Sequence, residues 1–157
     1  MSEIEQFVNI IKLLRSENGC PWDREQTHSS LKAACIEEAA EVVCGINIFE
    51  KTGNSDNLKE ELGDLLLQVV MQSQIADEEG LFDFEGVAKC VKEKMIRRHP
   101  HVFSDEALDT SPQVLKRWDE IKHKEKAGKE WMEAELPAAF EEAKLLVDRA
   151  RERKGIR

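Results

Sequence analysis

Two acidic clusters are the residues of this sequence whose types and spacing best suit chemistry: EEAAE at 37–41 and EELGD at 60–64. Residues three apart lie on one face of an α-helix, so each cluster can present two carboxylates to a common partner. The pairs are Glu38 with Glu41 and Glu61 with Asp64. Oxygen ligands without sulfur or imidazole suit a hard divalent ion, Mg²⁺ or Mn²⁺, better than zinc.

The apolar pattern around the two clusters indicates that these carboxylates face inward. At about 100° per residue, Glu38 falls within the apolar arc of its helix and Glu41 lies at the edge. Glu61 borders the arc of the next helix, with Asp64 one turn on, and no Lys or Arg lies on either arc. Neighbouring carboxylates repel by about 4 kcal/mol per pair at 4 Å and an effective dielectric near 20. A bound cation is therefore expected, although either cluster alone also fits a solvated acidic face.

The elements that position the clusters are predicted to be helices, because start and stop signals recur and no segment alternates with period two. The two acidic clusters lie at unequal numbers of residues from the connection between their helices. The connection over 49–56 is therefore expected to be a loop that rises along the helix axis and brings the clusters to the same level. The fold class is all-α, a helical bundle whose last helix is an appendage. The six predicted helices run from a capping box at Ser2 and Glu5 to Asn18, from about 30 to 51, from 56 or 57 to Gly80, from Asp83 to 98, from Ser111 to Gly128, and from Pro137 to Gly155.

Composition limits the function classes. The chain has 157 residues, enough for one domain, and a formal net charge of −9, which disfavours a nucleic-acid partner. No apolar run approaches the length of a membrane span, and the acidic N-terminal segment does not resemble a signal peptide. The four cysteines include no C-x-x-C pair, which favours a reducing cytoplasm. A protein without membrane association is expected.

The sequence offers residues for two other kinds of metal site. Cys20 or Cys90 with His99 and His101 could bind zinc, but their spacing matches no usual zinc motif. Two Glu-x-x-His pairs, at 25–28 and 120–123, could belong to a di-iron bundle. The second pair lies opposite the apolar stripe of its helix and the first lies in a loop, so the sequence disfavours this reading.

Four motifs, in the same order along the chain, resemble those of the MazG family of nucleoside triphosphate pyrophosphohydrolases. They are GCPWD with QTH at 19–28, EE-x-x-E at 37–41 followed by E-x-x-D at 61–64, ELGDLLLQVV at 61–70, and KMIRRHPHVF at 94–103. The similarity covers roughly residues 5–125. Residues 136–157 resemble the connector between the two copies of tandem MazG proteins, so the expected organisation is a MazG-type domain over 1–130 and a C-terminal connector helix over 131–157.

This resemblance implies an all-α bundle that forms a homodimer or a larger homo-oligomer. It implies Mg²⁺-dependent hydrolysis of NTPs or dNTPs to the monophosphate and pyrophosphate, by water attack at the α-phosphorus. Glu38, Glu41, Glu61 and Asp64 correspond to the metal ligands. Glu37 is expected to orient or deprotonate the attacking water. The alternative is a non-catalytic copy that serves as a dimerisation or nucleotide-binding module, because tandem proteins can divide labour between copies.

Basic and aromatic residues further along the chain are candidates for binding the phosphates and the base of the substrate. Lys94, Arg97 and Arg98 are expected to bind phosphates, although a basic helix end that complements the helix dipole has the same pattern. Trp118 has the periodicity of a core aromatic. Its match to the family's W-x-x-x-K motif, here with Lys122, favours contact with the base.

Overall fold

A computed structural model describes residues 1–156, which form helices joined by short connections and contain no strand. The all-α fold class is therefore confirmed. Within this stretch, no helix combines the length and the apolarity needed to cross a membrane. The helices are α1 (Glu3–Leu14), α2 (Pro21–Glu25), α3 (Lys32–Thr52), α4 (Asp56–Glu78), α5 (Phe84–Arg98), α6 (Pro100–Phe103), α7 (Ser111–Lys126), α8 (Glu130–Ala134) and α9 (Leu136–Arg153).

A capping box or an N-terminal proline explains the starts of α1, α2, α6 and α7. At α1 the predicted capping box is present: Ser2 N donates to Glu5 Oε2 at 2.6 Å, and Glu5 N donates to Ser2 Oγ at 3.3 Å. The N-cap of α7 is Thr110, one residue before the predicted Ser111, because the Gln113 carboxamide accepts from Thr110 N at 3.1 Å. The short helices α2 and α6 each begin with a proline at the first position and were not predicted.

The described chain forms two compact units. The first contains residues 1–84 and the part of α9 from residue 141 on, and the second contains residues 85–140. The division into a MazG-type domain and a connector at residue 130 stays a prediction. The C-terminal part of α9 differs from the expected appendage, because Lys32 Nζ on α3 lies 2.9 Å from Glu142 Oε1. The core of the first unit consists of Ile11, Leu31, Val70, Met71 and Ile75.

The α3–α4 pair positions the two acidic clusters. The predicted climbing loop over 49–56 was wrong, because α3 continues to Thr52 and ends at Gly53, whose φ of 74° is the left-handed conformation that glycine adopts readily. The helices approach so closely that a Cβ built on Gly45 would lie 2.9 Å from Leu58 Cα. This contact fixes the register of α4 along α3 without a long loop.

We expect Gly45→Ala to lower the free energy of unfolding by about 1–3 kcal/mol, because the added methyl group must push the α4 backbone away. Gly63→Ala is the matched control, since a Cβ on this other helical glycine meets nothing within 4 Å. The control should be neutral or stabilising by up to about 1 kcal/mol through helix propensity. Urea unfolding measures both changes, and equal effects of the two substitutions would contradict the close approach.

Arg15 connects α1 to the loop before α3 and to the end of α4. Its guanidinium donates to Glu78 at 2.7 and 2.9 Å and to the backbone carbonyls of Asp23 and Gln26 at 2.5 and 3.1 Å. The side chain is only 5% exposed. Two of these four hydrogen bonds hold the segment that leads into α3, and the other two tie it to the end of α4.

Arg15→Ala is expected to lower the free energy of unfolding by about 3 kcal/mol, because two carbonyls and a carboxylate lose their donor. Lys12→Ala, which removes an exposed pair with Asp77 at 3.9 Å, should cost less than about 1 kcal/mol. The hydrogen bond from Arg15 lowers the pKa of Glu78. The Arg15–Glu78 pair thus contributes fully to the free energy of unfolding above the unfolded-state pKa of about 4.3. This contribution declines as the pH falls through the lowered folded-state pKa of Glu78. Urea unfolding measures the difference in free energy of unfolding between wild type and Arg15→Ala. A difference that grows below about pH 4 would contradict this assignment.

Candidate active site

Three carboxylates from the two acidic clusters converge where α3 packs against α4. One oxygen from each of Glu38, Glu61 and Asp64 lies within 4.8 Å of the other two. Glu38 comes from α3, and the other two residues come from adjacent turns of α4. These three side chains meet because α3 and α4 pack with the two acidic clusters side by side.

The environment of this cluster opposes negative charge. Burial, followed by the charges of Asp64, Glu37 and Glu61, raises the pKa of Glu38. Glu61 is 9% exposed, and Asn57 Nδ2 donates to its Oε1 at 2.7 Å. No ion pair neutralises Glu38, Glu61 or Asp64 among residues 1–156. Three oxygen donors that make no direct ion pair fit a hard divalent cation, so the residues present are suited to Mg²⁺.

The other two predicted residues of the motif face the C-terminal end of α9. Arg153 and Lys154 both pair with Glu37, the latter at 2.9 Å, and Lys154 also pairs with Glu41. Hydrogen bonds from Arg153 and then Lys154 lower the pKa of Glu37. The structure thus does not bring Glu41 into the group of three carboxylates, and its role as a metal ligand stays a prediction.

The second compact unit contains the predicted phosphate and base residues. Arg97 and Arg98, at the end of α5, both pair with Glu125 of α7, at 2.8 and 2.6 Å. The Arg98 guanidinium lies 5.1 Å from the centre of the Trp118 ring, in a cation–π contact. The structure therefore brings Arg97, Arg98 and Trp118 into one group.

The remaining two predicted residues are close to this group in sequence. Lys94 lies one turn before Arg98 on α5, and Lys122 lies one turn after Trp118 on α7. Both are partly buried. His99 packs against this group, because its ring meets Trp118 edge-on with centroids 4.9 Å apart.

The rival metal sites receive no support from the geometry. Among residues 1–156, the group of three or more metal-binding side chains that converges is the Glu38, Glu61 and Asp64 cluster. His28 instead makes a hydrogen bond with Gln72 and lies 3.6 Å from Glu79. It anchors the start of α3 to α4.

Sequence reasoning missed three residues of the site. Asn57 orients Glu61, and its own Oδ1 is buried without a hydrogen-bond partner. Arg153 and Lys154 are more than 110 residues away from their glutamate partners in sequence. An amide one turn before Glu61 was a usable signal for Asn57, because residues four apart share a helix face. No local pattern could have indicated the two α9 cations.

An all-α protein that gathers glutamate and aspartate side chains from two adjacent helices belongs to the class of helical proteins with an interhelical carboxylate cluster. Residues 26–103 match the family model of the MazG nucleotide pyrophosphohydrolase domain. The chain belongs to the MazG family.

Similar proteins include two that are named for a nucleotide-cleaving activity. The chain is 52% identical over 126 residues to the nucleoside triphosphate pyrophosphohydrolase/pyrophosphatase MazG of Thermotoga maritima, which is 80% of this chain and 46% of that protein. It is 45% identical over 130 residues to the nucleoside triphosphate pyrophosphohydrolase of Escherichia coli K12, which is 82% of this chain and 48% of that protein. It is also 44% identical over 148 residues to YabN of Bacillus subtilis, an uncharacterized protein, which is 91% of this chain and 29% of YabN. The chain thus spans less than half the length of each of these relatives.

Proposed function

We propose that this chain hydrolyses nucleoside triphosphates, with ribose or deoxyribose, to the nucleoside monophosphate and pyrophosphate. The observation that carries the proposal is the convergence of Glu38, Glu61 and Asp64 within 4.8 Å, in a chain that belongs to the MazG family. The names of the E. coli and T. maritima relatives support the same activity.

The residues that would hold the ion are Glu38, Glu61 and Asp64, with Glu41 as the fourth predicted ligand. Bound Mg²⁺, or Mn²⁺ in its place, would neutralise phosphate oxygens and lower the pKa of a bound water. Asn57 keeps the Glu61 carboxylate oriented through its hydrogen bond at 2.7 Å. A carboxylate that is both buried and hydrogen-bonded is a preorganised ligand, because its rotamer is fixed before the ion arrives.

Glu37 is the proposed general base for water attack at the α-phosphorus, since it neighbours the ligands without joining their cluster. In the structure it accepts hydrogen bonds from Arg153 and Lys154, which keep it ionised. Lys94, Arg97 and Arg98 are the proposed ligands of the phosphate chain, where they would stabilise the charge on the departing pyrophosphate. Trp118 and Lys122 are the proposed contacts of the base.

The experiment that tests this proposal is hydrolysis of mixed NTPs and dNTPs by this chain alone, with Mg²⁺, in ¹⁸O-labelled water. Attack at the α-phosphorus puts the label in the monophosphate, whereas attack at the β-phosphorus puts it in pyrophosphate. Label found only in pyrophosphate would sink the proposed reaction. Nucleotide binding without any turnover would support the alternative, a non-catalytic nucleotide-binding copy.

A homodimer, or a larger homo-oligomer, is the proposed assembly, in the cytoplasm and without a nucleic-acid partner. Large apolar side chains are exposed on α1 and α3 of the single chain: Ile10 and Leu13 are 53% and 68% exposed, and Val43 and Phe49 are 57% and 44% exposed. Apolar surface on two helices favours burial against a second copy. Light scattering at micromolar concentration should give about twice or four times the 18.0 kDa chain mass. A mass of one chain would contradict the assembly.

A further inference from the structure

The end of α9 and the acidic cluster of α3 line one cavity. It has a volume of about 370 Å³ and lies within the first compact unit, between α3, the start of α4 and α9. Its acidic lining comes from Glu37, Glu41 and Glu61, and Arg151 and Lys154 line it from α9. The volume is in the range of small-molecule sites, which are typically 300–1,000 Å³.

The polarity of this cavity changes along α3. Glu37 and Glu41 line one end, and Cys44 and Ile48 follow on the same helix face one and two turns later. At 1.5 Å per residue, Glu41 and Ile48 are about 10 Å apart along the helix axis. The cavity therefore has a charged end beside the proposed active-site carboxylates and an apolar end away from them.

An anion can enter the charged end only if cations accompany it, because the carboxylates there repel it. Among residues 1–156, the ion pairs at these carboxylates come from Arg153 and Lys154. Lys154 is the one of these two that also lines the cavity. Its ammonium lies 2.9 Å from Glu37 and also contacts Glu41, while its side chain remains 38% exposed. The position thus combines proximity to the proposed reaction centre with access to a ligand.

We infer that Lys154 binds the phosphate chain of the substrate from the α9 side of this cavity. The inference rests on the proposed function for the identity of the substrate. When Glu41 takes up its proposed role as a metal ligand, Lys154 loses a counter-ion but stays in the cavity. A phosphate oxygen is the anionic partner that an ammonium held beside a metal-binding carboxylate would then accept. On this reading α9 is part of the substrate site, where the sequence suggested only a connector.

The test compares binding by wild type, Lys154→Ala and Lys154→Arg, with two controls, at saturating Mg²⁺. The probes are inorganic tripolyphosphate and an α,β-methylene NTP analogue, measured by isothermal titration calorimetry. We expect Lys154→Ala to weaken both probes roughly 10- to 100-fold, the loss of one charge-assisted hydrogen bond, and Lys154→Arg to recover most of the affinity.

Two further α9 variants separate a phosphate contact from a packing role. Arg153→Ala removes the other α9 cation on Glu37, but Arg153 does not line the cavity, so it should weaken both probes clearly less than Lys154→Ala does. Lys144→Ala, at an exposed position of the same helix, should leave binding unchanged. If Arg153→Ala weakens binding as much as Lys154→Ala, then α9 docking matters rather than the phosphate contact, and the inference is overturned.

The outcomes also separate this inference from the proposed function. If wild type releases pyrophosphate while Lys154→Ala binds both probes as tightly as wild type, or more tightly, then Lys154 only blocks the carboxylates. The inference then fails and the function stands. If binding depends on Lys154 but no NTP is cleaved, the inference stands and the proposed function fails. Wild-type protein that binds neither probe overturns the inference directly.

Discussion

Mg²⁺ or Mn²⁺ is expected to raise the melting temperature of wild type, and Glu38→Gln and Glu61→Gln are each expected to abolish this rise and to lower pyrophosphate release about a thousandfold. A ligand that binds only the folded state stabilises it in proportion to RT ln(1 + [L]/Kd), so lost affinity removes the shift. The loss of rate follows because the metal contributes several kcal/mol of charge stabilisation, and about 4 kcal/mol corresponds to a thousandfold.

Glu38→Gln should also change the melting temperature of the metal-free protein. The pKa of Glu38 is raised first by burial and then by neighbouring carboxylates, so a neutral glutamine removes a repulsion from the metal-free protein. We therefore expect Glu38→Gln to raise the melting temperature in EDTA while it removes the response to metal. A loss of stability in EDTA would indicate misfolding instead.

The matched control for both variants is Glu60→Gln, an exposed neighbour of Glu61 on α4. It removes the same charge from the same helix turn without touching the three-carboxylate cluster. Its metal response and activity should equal those of wild type. Differential scanning fluorimetry with a metal titration, together with a pyrophosphate-release assay, measures all three variants. Full metal responses in Glu38→Gln and Glu61→Gln would show that the ion binds elsewhere.

Arg98→Ala and Trp118→Ala are expected to impair the proposed hydrolysis in different ways. Arg98→Ala should lower kcat about a hundredfold, because it removes charge stabilisation that grows as pyrophosphate leaves. Trp118→Ala should raise KM by an amount worth about 1–3 kcal/mol with kcat largely kept, because stacking on the base is equal in ground and transition states. Steady-state kinetics with one NTP at saturating Mg²⁺ measures both constants.

The contact between these side chains determines the controls. Arg98 lies over the Trp118 ring at 5.1 Å, so removal of the ring also removes the cation–π contact of the guanidinium, which keeps its pair with Glu125. Trp118→Phe keeps an aromatic face for Arg98 and should recover part of the KM. Trp131→Ala, at a 65% exposed tryptophan, should change neither constant. An unchanged KM in Trp118→Ala would mean that Trp118 is a packing residue and that the base binds elsewhere.

Local interactions made most of the fold predictable from sequence. The Ser2 capping box and the glycines that follow α3 and α7 act within a few residues of each other, so the sequence pattern specifies them directly. The inward face of Glu38 was likewise readable, since helical periodicity fixes which residues share a face. The predicted start of α7 was one residue late because Thr110 and Ser111 are both suitable caps, and the position of Gln113 decided between them.

Within the site, the sequence determined which carboxylates point inward, and the tertiary structure determined which of them meet. Glu38, Glu61 and Asp64 converge because Gly45 lets the α4 backbone approach α3 and sets the register of the two helices. Register depends on contacts between segments, which no single helical pattern contains.

The tertiary structure also determines which partners the Glu37 and Glu41 side chains contact. Helical spacing places these residues close to the other carboxylates, but the structure turns them toward Lys154 at the end of α9. Their separation from Lys154, 113 residues for Glu41, removes any local signal for the pairing. An acidic face in a chain with a net charge of −9 has many possible cationic partners, and only the packing of α9 against α3 selects one.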